Sequence, residues 1–75
     1  MTHFWLAHQT PTGVVVFIQP AYSLVEARMK AALAGFQGIT EAHQLDSKTA
    51  GKIPKKLIGR ALDKEEAESL LLRLG

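Results

Sequence analysis

The chain contains no cysteine. Disulfide staples, thiolate metal sites and thiol catalysis are therefore excluded, and the absence fits a reducing compartment, so a cytoplasmic location is expected. Long apolar runs are missing as well. The longest is Val14-Val15-Val16-Phe17-Ile18, far short of the ~20 residues that span a bilayer. The opening Met1-Thr2-His3-Phe4-Trp5 has no basic n-region and no small-residue cleavage site after an apolar core, so neither secretion nor membrane insertion is expected. Acid is absent between positions 48 and 60, although five cations lie there.

What remains is ordinary material for folding. Seventy-five residues, 47% hydrophobic and 21% charged, support one small domain spanning 1–75 and are too apolar for a disordered chain. A domain this short buries only about 60% of the surface exposed by its unfolded chain. Oligomerisation is a common remedy when disulfides are unavailable.

Residues 3–8 read as an aromatic-rich, uncharged strand, and Gln9 to Gly13 as turn material with Pro11 and Gly13 as its punctuation. Val14 to Gln19 is the clearest strand, with three β-branched residues in succession and Pro20 as its end. A connection of about five residues makes these two strands an antiparallel hairpin. Ser23-Leu24-Val25-Glu26 is a capping box that predicts a helix from Leu24 to about Ala34. Val25, Met29, Leu33 and Phe36 form its apolar stripe, and Gly35 and Gly38 are candidate stops.

Ile39 to Leu45 reads as a third strand, Asp46 to Lys52 as a polar loop, and Pro54 to Arg60 as a short helix begun by proline. Asp63 with Glu66 repeats the capping logic, opening a last helix that buries Ala67, Leu70, Leu71 and Leu74. The resulting fold class is α+β. It is a two-layer β-β-α-β-α(α) domain with a three-stranded, mainly antiparallel sheet and helices on one face. Strand three is placed beside strand one. A β-grasp-like arrangement with those two strands parallel is the alternative.

Both sides of the expected hairpin are apolar. With helices on only one side, Trp5, Val15 and Phe17 would share an uncovered face. Soluble monomers rarely expose apolar patches beyond a few hundred Å², so these three residues are the expected interface of a homodimer or of a contact with another protein. A C-terminal segment wrapped over that face is the alternative.

The charge pattern supplies a second candidate. Residues 1–47 carry a net −1, residues 48–60 a net +5 and residues 61–75 a net −2. Lys48, Lys52, Lys55, Lys56 and Arg60 are the five cations, and on a helix from Pro54 the last three would share a face able to neutralise phosphates. Nucleic-acid binding is thus the alternative function, set against a solvated face that merely keeps the chain soluble.

Catalysis has little to draw on. His3 and His8 are five apart and point to opposite faces of a strand. His43 shares a face with Glu41, but two side chains make a poor metal site and form no recognised catalytic pattern. Of the phosphate-loop pattern only Gly51-Lys52 is in place, with Ile53 where a hydroxyl is needed. The chain is accordingly expected to be a non-catalytic interaction module, with no metal, cofactor or small-molecule ligand.

Overall fold

The computed structural model describes residues 1–36 and 38–74. Its elements are strands β1 (Thr2–Thr10), β2 (Gly13–Ala21), β3 (Ile39–Leu45) and β4 (Ala61–Leu62), and helices α1 (Leu24–Leu33), α2 (Ser47–Gly51) and α3 (Lys64–Leu74). A single 3₁₀ turn covers Lys55–Leu57. The class is α+β. The sheet has four antiparallel strands in the order β3-β1-β2-β4, one more than expected. β3 lies antiparallel to β1, which excludes the β-grasp alternative.

The hairpin turn is tighter than its composition suggests. Thr10 pairs with Gly13, so only Pro11 and Thr12 form the loop. Gly13 takes φ +137°, a conformation open to glycine, and the Thr10 hydroxyl donates to its carbonyl at 2.8 Å. This turn sets the register: Trp5 pairs with Ile18 and Leu6 with Phe17. Residues directly opposite share a face, and a one-residue slip exchanges faces throughout. Trp5 therefore sides with Val16 and Ile18, while Phe17 sides with Phe4 and Leu6.

β2 also runs through Pro20 to Ala21 and does not end at the proline. Its outer side pairs with β4 only at Val16 and Phe17. Pro20 thus sits where the strand has no outer ladder for the missing N–H to interrupt.

Each sheet face has its own apolar cover, and the expected two layers are three. On one side Trp5, Val16 and Ile18 pack with Ile53, Leu62, Ala67 and Leu70, which come from the C-terminal half. On the other, Phe4, Leu6, Phe17 and Ala21 pack with Ala27 and Ala31 of α1. The alternating hairpin pattern is satisfied within one chain. No polar or charged side chain is buried among the described residues.

α1 starts where its cap requires. The Ser23 hydroxyl accepts from the Glu26 amide at 3.1 Å, and the Glu26 carboxylate takes the Tyr22 amide. Gly35, at φ +95°, follows its end. Its orientation departs from expectation. Ala27 and Ala31 face the sheet, whereas Val25, Met29 and Leu33 are exposed. Small side chains let the helix settle close onto the bulky Phe4, Leu6 and Phe17.

The C-terminal half is more broken than expected. Asp46 caps α2, accepting the Thr49 amide at 2.6 Å, so the polar loop is a short helix. The helix expected from Pro54 to Arg60 is only the 3₁₀ turn, followed by Gly59 at φ +79° and then β4. α3 shows the reciprocal cap: the Glu66 amide donates to Asp63 at 2.8 Å, and the Asp63 amide to Glu66 at 3.4 Å. It buries Ala67 and Leu70, while Leu71 is more than half exposed.

Candidate interaction surfaces

The expected hairpin interface is not assembled by a single chain. Trp5 and Phe17 are 8% and 6% exposed and lie on opposite sides of the sheet, each under its own cover. Val15 is half-buried. All three would share one face only if the hairpin loop held five residues. That loop would pair Trp5 with Phe17, whereas the two-residue turn pairs Trp5 with Ile18.

The basic residues do not form the compact helical face either. Lys48 belongs to α2 and Lys52 caps its end, Lys55 and Lys56 lie on the 3₁₀ turn, and Arg60 follows Gly59. All five are exposed. Arg60 is held on the protein, its Nε donating to the Lys56 carbonyl at 3.0 Å and its Nη2 to Glu66. The neighbouring Ile53, Leu57 and Ile58 belong to or pack against the core beneath Trp5, so they offer no platform for bases.

His43 and Glu41 are brought together. The imidazole Nε2 is hydrogen-bonded to the Glu41 carboxylate, and both side chains are largely exposed on β3. They stand at the rim of an open trough of about 680 Å³ whose lining includes Trp5, Val16, Leu45 and Leu71. Among the described residues no group of three or more histidine and acid side chains could hold a metal. His8 lies elsewhere, against Phe36 with ring centroids 6.0 Å apart. The Asp46 carboxyl has a structural role: the backbone N–H of Thr49 holds it below the usual carboxylate range.

Two surfaces stand out, an outward helix face that was expected to be buried and a sheet edge where strand three was expected. The first is the outer side of α1. Val25, Met29 and Leu33, spaced four apart, are 70%, 61% and 87% exposed, and Tyr22 just before the cap is 77% exposed. Arg28 flanks this stripe on one side, and the Glu26–Lys30 ion pair, at 3.1 Å, on the other. An apolar centre with a charged rim is the usual anatomy of a protein contact. The signal available in the sequence was the second apolar row, Ala27 and Ala31, which is small enough to be overlooked beside larger side chains.

The second surface is the free edge of β3. Among the described residues the strand pairs only with β1, and its opposite edge is open. No helix among the described residues is long and apolar enough to cross a membrane. In comparisons with known proteins, no family model, curated protein or solved structure matches the chain.

Proposed function

We propose that this chain is a non-catalytic interaction module that grips a protein partner with the outer stripe of α1. The supporting observation is the exposure of Val25, Met29 and Leu33 on the side of the helix opposite Ala27 and Ala31, with exposed Tyr22 just before the cap. A helix that docks by alanines has no folding reason to carry three large apolar residues on its outer side, with Tyr22 beside them just before the cap. At roughly 1.5–3 kcal/mol for each side chain fully buried, covering the exposed fraction gains about 4–9 kcal/mol. Association itself costs on the order of 4–15 kcal/mol. The stripe alone therefore supports a weak or transient contact, in the manner of an amphipathic helix laid in an apolar groove.

The test is position-dependent photo-crosslinking in the native host, with a crosslinking amino acid at position 33 or, as a control, at position 9. A discrete product from position 33 that is absent from position 9 and lost on Met29→Glu is expected. Equal products from both positions, or none from position 33, would refute the reading.

Nucleic-acid contact is the second reading. It is favoured by four exposed lysines, Lys48, Lys52, Lys55 and Lys56, that form no ion pair among the described residues. The scattering of these cations over three local structures makes it the weaker one.

A further inference from the structure

We infer that the chain forms a two-fold dimer by antiparallel pairing of β3 with β3 of a second copy, centred on Ala42. This inference uses a different surface from the α1 stripe and stands without it.

Three observations carry it. β3 is an edge strand of seven residues, so a row of its backbone N–H and C=O groups faces outward without a strand partner. The other sheet edge is β4, of two residues. Edge strands are commonly protected by charged side chains, especially lysine, by proline or by bulges. β3 has no lysine or proline; its irregularity is confined to Thr40, between the Ala7–Glu41 and His8–Ile39 pairs, and Glu41 is its one formally charged side chain. Glu41 to Leu45 remain in regular pairing with β1.

The third observation is the order of the side chains in the regular part of the strand. Read outward from Ala42, Glu41-Ala42-His43 is its own chemical complement. An antiparallel pair about a two-fold axis at Ala42 sets Glu41 opposite the second copy's His43, and His43 opposite its Glu41. Each chain already holds Glu41 and His43 together on one face. The four groups would therefore form a closed square of alternating carboxylate and imidazole, with directly opposed Cβ atoms about 4.5–5.5 Å apart. Ala42 falls opposite itself with no bulk at the axis.

Shifting the axis to Glu41 or His43 sets like groups against each other. Such pairs are unfavourable when charged, so chemistry selects the register. Residues one apart cannot be opposed, because they point to different faces. The axis stands perpendicular to the sheet, so both copies keep α1 on the same side and the dimer presents two outer stripes in one direction.

Because the chain has no cysteine, single cysteines report the register directly. Opposed residues across an antiparallel pair have Cα atoms about 4.5–5.5 Å apart, within the range a disulfide bridges. On mild oxidation Ala42→Cys is expected to yield a covalent dimer, and Gln44→Cys to stay mainly reduced, its two copies about 13 Å apart along the strand. Crosslinking of His43→Cys in place of Ala42→Cys would overturn the register.

Sedimentation equilibrium then tests the charge pattern. His43→Glu alone is expected to weaken dimerisation about tenfold or more by setting acids opposite acids. Glu41→His combined with His43→Glu should restore it, since the square again alternates. Both positions are exposed, and an unchanged melting curve confirms that each variant folds. A wild-type chain that remains monomeric at about 1 mM, where a millimolar contact is half-formed, or a double variant as weak as the single one, would overturn the inference. Loss of α1 contacts with this dimer intact would fault only the stripe reading.

Discussion

Ala31→Leu and Met29→Ala together test which side of α1 meets the sheet. Ala31 is fully buried and packs with Phe4, Leu6 and Phe17. Leucine there adds a branched chain to a filled space, and overpacking of this kind costs about 1–3 kcal/mol. Met29 is 61% exposed. Its truncation forfeits less than half of the roughly 1.5–3 kcal/mol that complete burial supplies, and alanine returns a little through its higher helix propensity. The net cost is expected to be below about 1 kcal/mol. A 75-residue domain has roughly 4–11 kcal/mol of stability, so the difference between the two variants is measurable. The assay is urea unfolding followed by the fluorescence of Trp5, the one tryptophan in the chain. With a slope near 1 kcal/mol/M, Ala31→Leu should lower the midpoint by about 1–3 M and Met29→Ala by under about 1 M. The opposite ranking would mean that α1 docks by its large residues, and the exposed stripe would disappear from the account.

Other outcomes follow from the same geometry. Leu6 and Leu72 invite the same substitution with contrasting results: at fully buried Leu6 alanine should cost about 2–5 kcal/mol, at largely exposed Leu72 no more than about 0.5 kcal/mol by the same urea assay. Asp46 has a carboxyl held low in the folded state by the Thr49 amide. A lowered folded pKa means its stabilisation is present above the unfolded value, ~3.9, and is lost as pH falls through the folded one. Unfolding measured at pH 6 and again well below pH 4 should therefore separate the wild type from Asp46→Ala at the higher pH and bring them together at the lower; a constant difference would refute the cap. If residues 48–60 contact nucleic acid, a duplex or single-stranded probe should bind at low salt, with affinity lost in salt and in Lys55→Glu/Lys56→Glu. No retardation of either probe removes that reading.

The parts of the fold legible in the sequence are those set by local chemistry. Ser23 with Glu26 and Asp63 with Glu66 mark helix starts through hydrogen bonds between near neighbours, and the structure contains both. The β-branched run Val14 to Val16 marks β2 for a similar reason. What could not be read locally depends on register and on partners distant in sequence. A five-residue loop sets Trp5 opposite Phe17 and the two-residue turn sets it opposite Ile18, and composition between Gln9 and Gly13 fits either. β4, at two residues, is too short to have a periodicity and exists because Val16 and Phe17 lie beside it.

α1 misled for another reason. Its larger apolar residues repeat with helical period, yet close approach to a sheet already crowded by phenylalanines favours Ala27 and Ala31. Of the candidate sites, the Glu41–His43 pair was legible because alternation along a strand requires it. The cationic face from Pro54 was not realised, because Gly59 and the approach to β4 stop the turn after Leu57.

Trp5 and Phe17 are buried on opposite faces of the sheet, each under apolar side chains of the same chain, and the outside of α1 and the edge of β3 are the surfaces proposed for contact. Nuclear Overhauser spectroscopy of a monomeric sample tests this most directly. The Trp5 indole should show contacts with methyl groups of its own cluster, such as Ile18, Leu62 or Leu70, and the Phe17 ring with those of Ala27 or Ala31. Contacts of both rings with the same helix, or strong contacts of neither, would contradict it.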